Sequence, residues 1–579
     1  MKQNNKYQKL ELTWVGKGEE PQLEPRILIE NPEYSYGDKD SQNMIIHGDN
    51  LLALKALEQE YAGKVKCIYI DPPYNTGSAF EYYDDNVEHS IWLELMKQRL
   101  VILRTLLSKD GFICCHIDDS EGHYLKVLMD EVFGRDNYLN TFYIRVRYPD
   151  KTLKQDMDFH KEIEQVHIYR KEYGAKPNLN QAESNFDKYE YYFEELEEGK
   201  KIELGGKKVV IFEKNQYKIT RRTGSENGRK EIWATGSILD GNSSGRFFRD
   251  YLTGRYEEDG YGVLYKIYGI GEDKFDYRYF TGPQKVGATK GKYFQGVPVA
   301  QLNSEDKMKS MPINNFYDLA GSFGNCRLEG GVDFRSGKKP EKLLSIILQH
   351  FSNEGDLVLD SFLGSAGTIA VAQKMKRNWI GIELGNHAYS HCYERLKKVC
   401  SGSDSSGITF DVNWQGGGGF KFYELAPSLL NQDEYGNWII SKEYNPDMLA
   451  AAMAKQENFV YQPDAVIYWK QGKSTEKDFI FTTTQFVSGE MLDKLHNELA
   501  EDETLLICAT SFAKGLETRY SNIKLRKIPL MLLGRCEFGK DDYSLNIINL
   551  PTVEDDSEDD EVIEDCIDNT CDNNTNELF

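Results

Sequence analysis

This 579-residue sequence lacks long apolar segments and ordered cysteine patterns, and its 70 Lys and Arg are outnumbered by 93 Asp and Glu. The net charge is −23, no run of 18 apolar residues occurs, and the ten cysteines lack regular zinc-type or disulfide-type spacing. We therefore expect no membrane span, no membrane partner, no metal centre and no disulfide framework. The first residues also lack an apolar leader, which favours a cytoplasmic protein with reduced cysteines.

The acidity of the chain has a local source. Residues 551–579 hold 12 Asp and Glu but no Lys or Arg, and removing those charges from −23 leaves −11. This segment is poor in apolar residues, so we predict a disordered acidic tail. Residues 141–330 are nearly neutral, because 31 Lys and Arg there face 29 Asp and Glu.

The first informative motif is Asp71-Pro72-Pro73-Tyr74, which follows the apolar run Val65–Ile70. That run predicts a buried parallel strand. An amino group conjugated with a base ring is a poor nucleophile, and hydrogen bonds to a carboxylate and a carbonyl stabilise the positive charge that it develops on methylation. Asp71 and the rigid Pro72 carbonyl can accept these bonds, and Tyr74 can stack on a base taken out of the duplex. A Pro-Pro turn without function is the alternative.

The second motif lies far downstream. Residues 356–360 predict another buried strand, followed by the small-residue turn 361–368, a helix and the strand Trp379–Glu383. Glycine in such a turn lets a nucleotide approach the backbone, and an acidic residue about 20 positions later can hold ribose hydroxyls. Gly364 and Glu383 have this spacing. The pattern is not Gly-x-Gly-x-x-Gly, which disfavours a nicotinamide cofactor, and a tight turn without ligand is the alternative.

Together the two motifs resemble those of the amino-group DNA methyltransferases that use S-adenosylmethionine. Asp71 to Tyr74 matches the catalytic motif of that family, and the downstream turn matches its Phe-x-Gly-x-Gly cofactor motif, with Ala366 in place of the second glycine. The catalytic motif comes first, as in the β group of the family, and Asp71 favours adenine N6 over cytosine N4 as the target. The resemblance implies a cofactor site made of Asp49, Lys339, Asp360, Phe362, Gly364, Gly367, Thr368 and Glu383.

The resemblance also implies the fold. We expect an α/β protein of the class I S-adenosylmethionine-dependent methyltransferase type, with a Rossmann-like, mixed seven-stranded sheet and permuted motif order. An inserted target-recognition domain and a C-terminal α/β domain would complete it. The expected segments are a lead-in (1–43), the catalytic half (44–171), the target-recognition insertion (172–335), the cofactor half (336–425), an interaction or dimerisation domain (426–550) and the acidic tail (551–579).

The insertion is dense in Tyr, Arg and Gly, which favours contact with double-stranded DNA, although an ordinary solvated domain would also fit. The acidic segment from Glu194 to Glu198 predicts a solvated helix. Candidate DNA contacts are basic side chains that lie among aromatic residues or glycines: Arg221, Arg222, Arg246, Arg249, Lys290 and Lys292.

Two end segments narrow the resemblance to the Mod subunits of type III restriction-modification systems. They are residues 12–29 and the glycine-rich run Trp414–Phe420. This implies a homodimer and a possible Res partner, which would carry the ATPase and nuclease, because no Gly-x-x-x-x-Gly-Lys-Ser/Thr loop occurs in this chain. Cytosine-N4 methylation, a catalytically silent DNA-recognition subunit, and methylation of RNA or protein are the alternatives.

Overall fold

The computed structural model of the protein describes residues 11–74, 85–149, 159–183, 186–234, 243–302, 308–334 and 337–543. They fall into two compact units. The larger unit combines the described parts of 1–178 and 314–579, and the smaller unit covers 179–313. No helix within these described residues is long and apolar enough to cross a membrane. The acidic tail lies outside them.

The strands in chain order are β1 (Leu28–Glu30), β2 (Tyr36–Gly37), β3 (Met44–His47), β4 (Val65–Ile70), β5 (Leu107–Ile117), β6 (Tyr138–Arg145), β7 (Ile163–Arg170), β8 (Asn180–Glu183), β9 (Tyr191–Glu195), β10 (Lys200–Leu204), β11 (Lys207–Phe212), β12 (Tyr217–Arg221), β13 (Lys230–Trp233), β14 (Leu264–Tyr268), β15 (Tyr277–Thr281), β16 (Lys292–Gln295), β17 (Met308–Met311), β18 (Phe316–Asp318), β19 (Leu357–Asp360), β20 (Asn378–Glu383), β21 (Gly419–Leu425), β22 (Leu430–Gln432), β23 (Trp438–Ile440), β24 (Val460–Tyr461), β25 (Gly472–Thr475), β26 (Asp478–Val487), β27 (Thr504–Phe512) and β28 (Ile523–Lys527).

The α-helices are α1 (Asn50–Tyr61), α2 (Asp85–Leu106), α3 (Gly122–Phe133), α4 (Ser243–Phe247), α5 (Tyr256–Asp259), α6 (Val299–Leu302), α7 (Ala320–Asn325), α8 (Glu341–Phe351), α9 (Gly367–Lys374), α10 (Glu394–Ser401), α11 (Pro446–Gln456) and α12 (Gly489–Glu498). Short 3-10 or π segments lie at Arg135–Asn137, Phe248–Leu252, Cys326–Gly331 and Ala388–Tyr393.

The larger unit is built on an 11-stranded sheet with the order β1-β21-β3-β20-β19-β4-β5-β7-β6-β18, to which β2 adds beside β21. Seven neighbouring strands in it, β3-β20-β19-β4-β5-β7-β6, form the mixed seven-stranded sheet expected from the sequence, which confirms the predicted fold class. The sheet is wider than predicted, because the lead-in and Gly419–Leu425 extend one edge and Phe316–Asp318 extends the other.

Strand direction decides where the functional residues meet. β3, β20, β19, β4 and β5 run parallel, whereas β7 is antiparallel to both β5 and β6. The carboxyl ends of the parallel strands and the amino end of β7 therefore share one edge, where ligands bind in open α/β sheets. The apolar runs predicted as strands are buried: Ile68, Ile113, Leu359 and Ile380 are fully inaccessible to solvent.

The C-terminal region has the predicted α/β character. β24 to β28 form a five-stranded sheet in which β26, β27 and β28 are parallel, and α11 and α12 accompany it. This region belongs to the same compact unit as the 11-stranded sheet. Its last described residue, Tyr543, donates its backbone N–H to Asp49 Oδ2 at 2.9 Å, and Arg26 Nη2 donates to the Lys540 carbonyl at 2.7 Å.

The smaller unit is mostly β-structure. A six-stranded antiparallel sheet has the order β10-β11-β14-β15-β16-β13, and the ribbon of β9 and β12 contributes Phe193 to the core on one face. The helix predicted for Glu194 to Glu198 is wrong, because Tyr191–Glu195 forms strand β9. The physical reason is tertiary: Phe193 stacks on Tyr279 with ring centroids 4.2 Å apart, which outweighs the helix propensity of the glutamates.

Candidate active site

The Asp71–Tyr74 motif lies where β4 ends, between β19 and β5 near the middle of the large sheet. Trp92 of α2 is fully buried and donates Nε1–H to the Pro73 carbonyl at 2.8 Å. With two successive prolines, this bond leaves the turn little freedom. The Pro72 side chain is buried, and Asp71 and Tyr74 are each half-buried.

Four polar side chains converge at this turn. The Tyr74 hydroxyl donates to Asp71 Oδ1 at 2.9 Å and lies 3.2 Å from Glu164 Oε2. Lys339 Nζ lies 3.0 Å from Asp71 Oδ2, 3.6 Å from Glu164 Oε2 and 4.9 Å from the centroid of the Tyr74 ring. The arrangement combines two carboxylates, one ammonium and one phenol.

A buried histidine, His116, contacts this cluster through Glu164. His116 Nδ1 lies 2.8 Å from the Tyr69 hydroxyl, and His116 Nε2 lies 2.8 Å from Glu164 Oε2. His116 is on β5 and Glu164 on β7, which pair antiparallel through the contact of His116 with Val166. Both ring nitrogens of His116 thus face polar groups of the protein.

The charges in the cluster shift its ionisation. Burial would raise the pKa of Glu164, but the Lys339 ammonium, His116 and Tyr74 lower it well below its usual range. Burial would lower the pKa of Lys339, yet Asp71 and Glu164 raise it above its ordinary value. Burial and the same two carboxylates raise the pKa of Tyr74 far above its ordinary value, which keeps the hydroxyl protonated. At neutral pH Glu164 and Lys339 are charged.

Glu164 and His116 were not among the site residues predicted from the sequence. The available signal was position, because Glu164 is the second residue of β7, whose amino end shares the edge with Asp71. Lys339 was predicted beside the cofactor. Its backbone does lie near the cofactor turn, since a Cβ added to Gly367 would be 3.6 Å from the Lys339 carbonyl, but its ammonium is at Asp71.

The predicted cofactor turn starts at Asp360, the last residue of β19. Asp360 Oδ1 accepts a hydrogen bond from Phe362 N at 3.0 Å, and Gly364 N donates to Glu383 Oε2 at 2.8 Å. The carboxylates that end β19 and β20 thus hold the turn. Phe362 is half-buried, and Thr368 is buried and hydrogen-bonded to Asp360.

Backbone geometry in the turn accounts for the glycine pattern. Gly364 has φ +54°, and Ala366 has φ +61° immediately before α9. Ala366, which replaces the expected glycine, therefore adopts a left-handed conformation that disfavours a side chain. Gly367 packs closely against α8, because a Cβ there would lie 2.9 Å from Leu344 Cδ1 and would displace that side chain.

Asp360 has a strongly shifted ionisation. Burial raises its pKa to about 7, with Asp71 and Glu383 adding repulsion, against hydrogen bonds from Thr368 and the Phe362 amide. A buried carboxylate in this state would be stabilised by a cationic ligand. The described residues around it thus suit a positively charged molecule.

A buried ion network backs the turn. Glu341 Oε1 lies 2.8 Å from Arg395 Nη2, and Glu341 Oε2 lies 2.7 Å from Lys374 Nζ. Lys374 Nζ is also 2.6 Å from Asp404 Oδ2, and Arg395 Nη1 donates to the Ser365 carbonyl at 2.9 Å. The network ties α8, α9 and α10 to the turn. Sequence patterns gave no indication of it.

Asp49, predicted near the cofactor adenine, caps α1. Its Oδ1 accepts from Leu52 N at 3.0 Å, and its Oδ2 accepts from Tyr543 N at 2.9 Å. The side chain is fully buried. These contacts give Asp49 a structural role, and its contact with adenine stays a prediction.

A cavity of about 470 Å³ adjoins the carboxylate cluster. Glu164 and Lys339 form part of its wall, and aromatic side chains, Tyr148, Phe323 and Phe334, line it further. Its size and its mixture of aromatic and charged groups suit a flat polar ring such as a nucleobase.

The predicted DNA-contacting residues lie in the smaller unit, where several are paired with acids. Arg221 Nη2 is 2.5 Å from Glu190, Arg249 Nε is 2.5 Å from Asp250, and Lys292 Nζ is 2.8 Å from Glu231. The Arg222 guanidinium lies 5.5 Å from the centre of the Tyr192 ring. Arg246 and Lys290 are exposed.

Comparison with known proteins places this geometry in context. Residues 65–394 match the family described as DNA methylase. Two curated relatives are Mod subunits of type III restriction-modification enzymes. The probable HindVI subunit of Haemophilus influenzae is 35% identical over 67% of this chain and 54% of its own length, and the EcoPI subunit of Escherichia phage P1 is 28% identical over 62% and 60%.

A third relative, the type II methyltransferase M.EcaI of Enterobacter cloacae, is 27% identical over 59% of this chain and 66% of its own length. The chain therefore spans between about half and two thirds of the curated relatives that it matches. The family match covers more than half of the chain and includes both Asp71–Tyr74 and the segment Asp360–Glu383, which begins with the cofactor turn. The protein belongs to the DNA methylase family.

Proposed function

We propose that the protein transfers a methyl group from S-adenosylmethionine to N6 of an adenine in double-stranded DNA, as the modification subunit of a type III-like restriction-modification system. The proposal rests on the closeness of two sites, the Asp71–Tyr74 motif and the cofactor turn, which follow adjacent strands of the large sheet. Asp71 directly follows β4, and the cofactor turn, residues 361–368, directly follows β19, the strand next to β4. A methyl donor in the turn and an amine at Asp71 would meet at one sheet edge.

In this proposal the Asp71 carboxylate and the Pro72 carbonyl accept hydrogen bonds from the target amine. These bonds favour tetrahedral geometry at nitrogen and stabilise its growing positive charge. Tyr74 stacks on the flipped base, and its hydroxyl, held by Asp71 and Glu164, fixes the ring in place. Trp92 keeps the Pro73 carbonyl occupied, so that it does not compete for the amine.

S-adenosylmethionine supplies a methyl group on a positively charged sulfur. We assign the contacts with it to Asp360, Phe362, Gly364, Gly367 and Thr368 in the turn and to Glu383 after it. The raised pKa of Asp360 supports this assignment, because a cationic cofactor would relieve the buried carboxylate. Lys339 is better placed to act on Asp71 than on the cofactor.

For DNA binding we propose a strip on the smaller unit that joins predicted cations to an additional aromatic residue. Trp233 is 57% exposed at the end of edge strand β13, and Lys292 Nζ lies 4.6 Å from the centre of its ring. Arg221 lies 5.8 Å from the Tyr191 ring, and Glu231 interacts with both Arg221 and Lys292. Cations on aromatic platforms suit phosphates and unstacked bases.

The relatives named as Mod subunits support a Res partner and a DNA substrate. A homodimer is part of the same proposal, and light scattering of the purified chain tests it. The compartment that holds the proposed substrate, the cytoplasm, is the expected location.

The test is single-molecule long-read sequencing of DNA from cells that express the wild-type chain or Asp71→Ala. We expect N6-methyladenine at one short motif, on one strand if the motif is asymmetric, and none in the variant. N4-methylcytosine would instead establish the cytosine alternative. The absence of any modified base, together with no affinity for S-adenosylmethionine in titration, would support a silent recognition subunit.

A further inference from the structure

Lys339 occupies an unusual position for a family residue expected beside the cofactor. Its ammonium is 3.0 Å from Asp71 Oδ2 and 4.9 Å from the centre of the Tyr74 ring. These two groups are the ones that the proposed function assigns to the amine and the ring of the target adenine. A side-chain ammonium of the protein thus makes the contacts that the proposed function assigns to the target adenine.

A second acceptor for this ammonium is close by. Glu164 Oε2 lies 3.6 Å from Lys339 Nζ, so the ammonium is within ion-pair distance of both carboxylates and is nearer to Asp71. A small side-chain rotation would bring it into hydrogen-bond distance of Glu164 alone. Lys339 and Glu164 both line the cavity of about 470 Å³, which leaves space for the movement. The Glu164 carboxylate is held ionised by Lys339, His116 and Tyr74, so it is ready to receive the cation.

We propose that Lys339 is a positioning residue that stands in for the substrate amine and is displaced from Asp71 to Glu164 when the adenine enters. This inference rests on the proposed function and adds to it a role for Glu164. The exchange replaces one buried ion pair by another, so the incoming amine gains the Asp71 carboxylate without leaving an unpaired buried charge. Asp71 freed from the ammonium is also a stronger acceptor for the amine.

A static role is the competing explanation. In that case Lys339 would hold Asp71 in place before and after the base binds, and removing the lysine would weaken contact with the amine. Displacement predicts the opposite sign, because removing the lysine removes a competitor. Glu164 also distinguishes the two explanations. If Lys339 is displaced, Glu164 affects binding of the amine only while Lys339 is present to move onto it.

The experiment compares two duplexes that contain the motif found by sequencing, one with adenine and one with unsubstituted purine at the target position. The purine lacks the 6-amino group, so the ratio of its Kd to the Kd for adenine isolates the amine contact. Binding is measured with the non-reactive cofactor analogue sinefungin present. The variants are Lys339→Met, Lys339→Arg, Glu164→Gln and the double variant Lys339→Met/Glu164→Gln. Lys161→Met, which removes an exposed lysine three residues from Glu164, is the control.

We expect the ratio to rise at least threefold in Lys339→Met and to fall toward one in Glu164→Gln. The double variant should match Lys339→Met, and Lys339→Arg should stay near the wild-type ratio, because it keeps the cation. In kinetics, Glu164→Gln should raise KM more than it lowers kcat. The inference is overturned by a lower ratio in Lys339→Met, or by a Glu164→Gln effect of the same size in the presence and absence of Lys339.

If Glu164→Gln does not fold, the two lysine variants still decide the matter, because the ratio should rise in Lys339→Met and stay near the wild-type value in Lys339→Arg. A ratio that falls in Lys339→Met, or is the same in both lysine variants, contradicts displacement. A wild-type protein that methylates no DNA would refute the proposed function, whereas a methylating protein whose ratio does not respond to Lys339 would refute only this inference.

Discussion

Asp360→Asn is predicted to alter stability in a way that depends on pH. Burial raises the folded-state pKa of Asp360 to about 7, whereas its ordinary value is 3.8. Between these values the folded protein binds more protons at this site than the unfolded chain, so its stability falls as pH rises through this window. The difference between the two pKa values corresponds to ~4 kcal/mol of folding stability, which is lost once the pH has risen above 7.

Asparagine cannot ionise, so the variant escapes this penalty. It forfeits part of the hydrogen bonding from Thr368 and the Phe362 amide, at a cost of about 1 kcal/mol that does not vary with pH. Between pH 5 and pH 8 the stability of the variant relative to wild type should therefore rise by ~3 kcal/mol. At pH 8 we expect the variant to be the more stable protein although it binds S-adenosylmethionine poorly.

Urea unfolding of both proteins without cofactor, at pH 5, 6, 7 and 8, measures this difference. Other titrating groups are common to the two proteins and largely cancel in it. A difference that is constant across these pH values would refute the reasoning, because it would mean that Asp360 titrates alike in the folded and unfolded states.

Three further predictions follow from particular contacts. Glu341→Gln should destabilise the fold by about 3–5 kcal/mol in urea unfolding, because the buried charges of Arg395 and Lys374 lose the carboxylate that balances them. The control is Lys477→Ala, which breaks an exposed pair with Asp502 and should change nothing measurable. Ala366 has φ +61°, so glycine there should change stability by no more than about 1 kcal/mol, whereas valine should cost more than ~2 kcal/mol in the same assay. Equal losses in the two variants would contradict the role of the left-handed backbone conformation. Trp233→Ala should weaken DNA binding by about 1–3 kcal/mol in fluorescence anisotropy, while Tyr435→Ala, which removes an exposed aromatic from the larger unit, should leave it unchanged.

The sequence predicted the strands of the core because each is a short apolar run followed by a polar turn, as in Val65–Ile70 before Asp71. Such local signals also located the motifs at the ends of β4 and β19. The same logic failed for Glu194 to Glu198, since the partner that makes β9 a strand, Tyr279, lies far along the chain.

Contacts between distant residues could not be predicted in this way. The Glu164 carboxylate contacts the Tyr74 hydroxyl, which lies 90 positions away in the sequence. The Asp49 carboxylate accepts a hydrogen bond from the Tyr543 backbone N–H, 494 positions away. Neither pairing leaves a periodic pattern, because each depends on sheet order and on how the chain returns to the core. The Lys339 backbone lies at the cofactor turn, but its side chain points toward Asp71. This direction likewise follows from packing and not from a local sequence pattern.

Nucleoside mass spectrometry is the most direct test of methyl transfer to adenine N6 at Asp71. Purified protein is incubated with genomic DNA and deuterium-labelled S-adenosylmethionine, and the DNA is digested to nucleosides. We expect labelled N6-methyldeoxyadenosine with the wild-type protein and none with Asp71→Ala. Label in N4-methyldeoxycytidine, or equal label in adenine with both proteins, would contradict it.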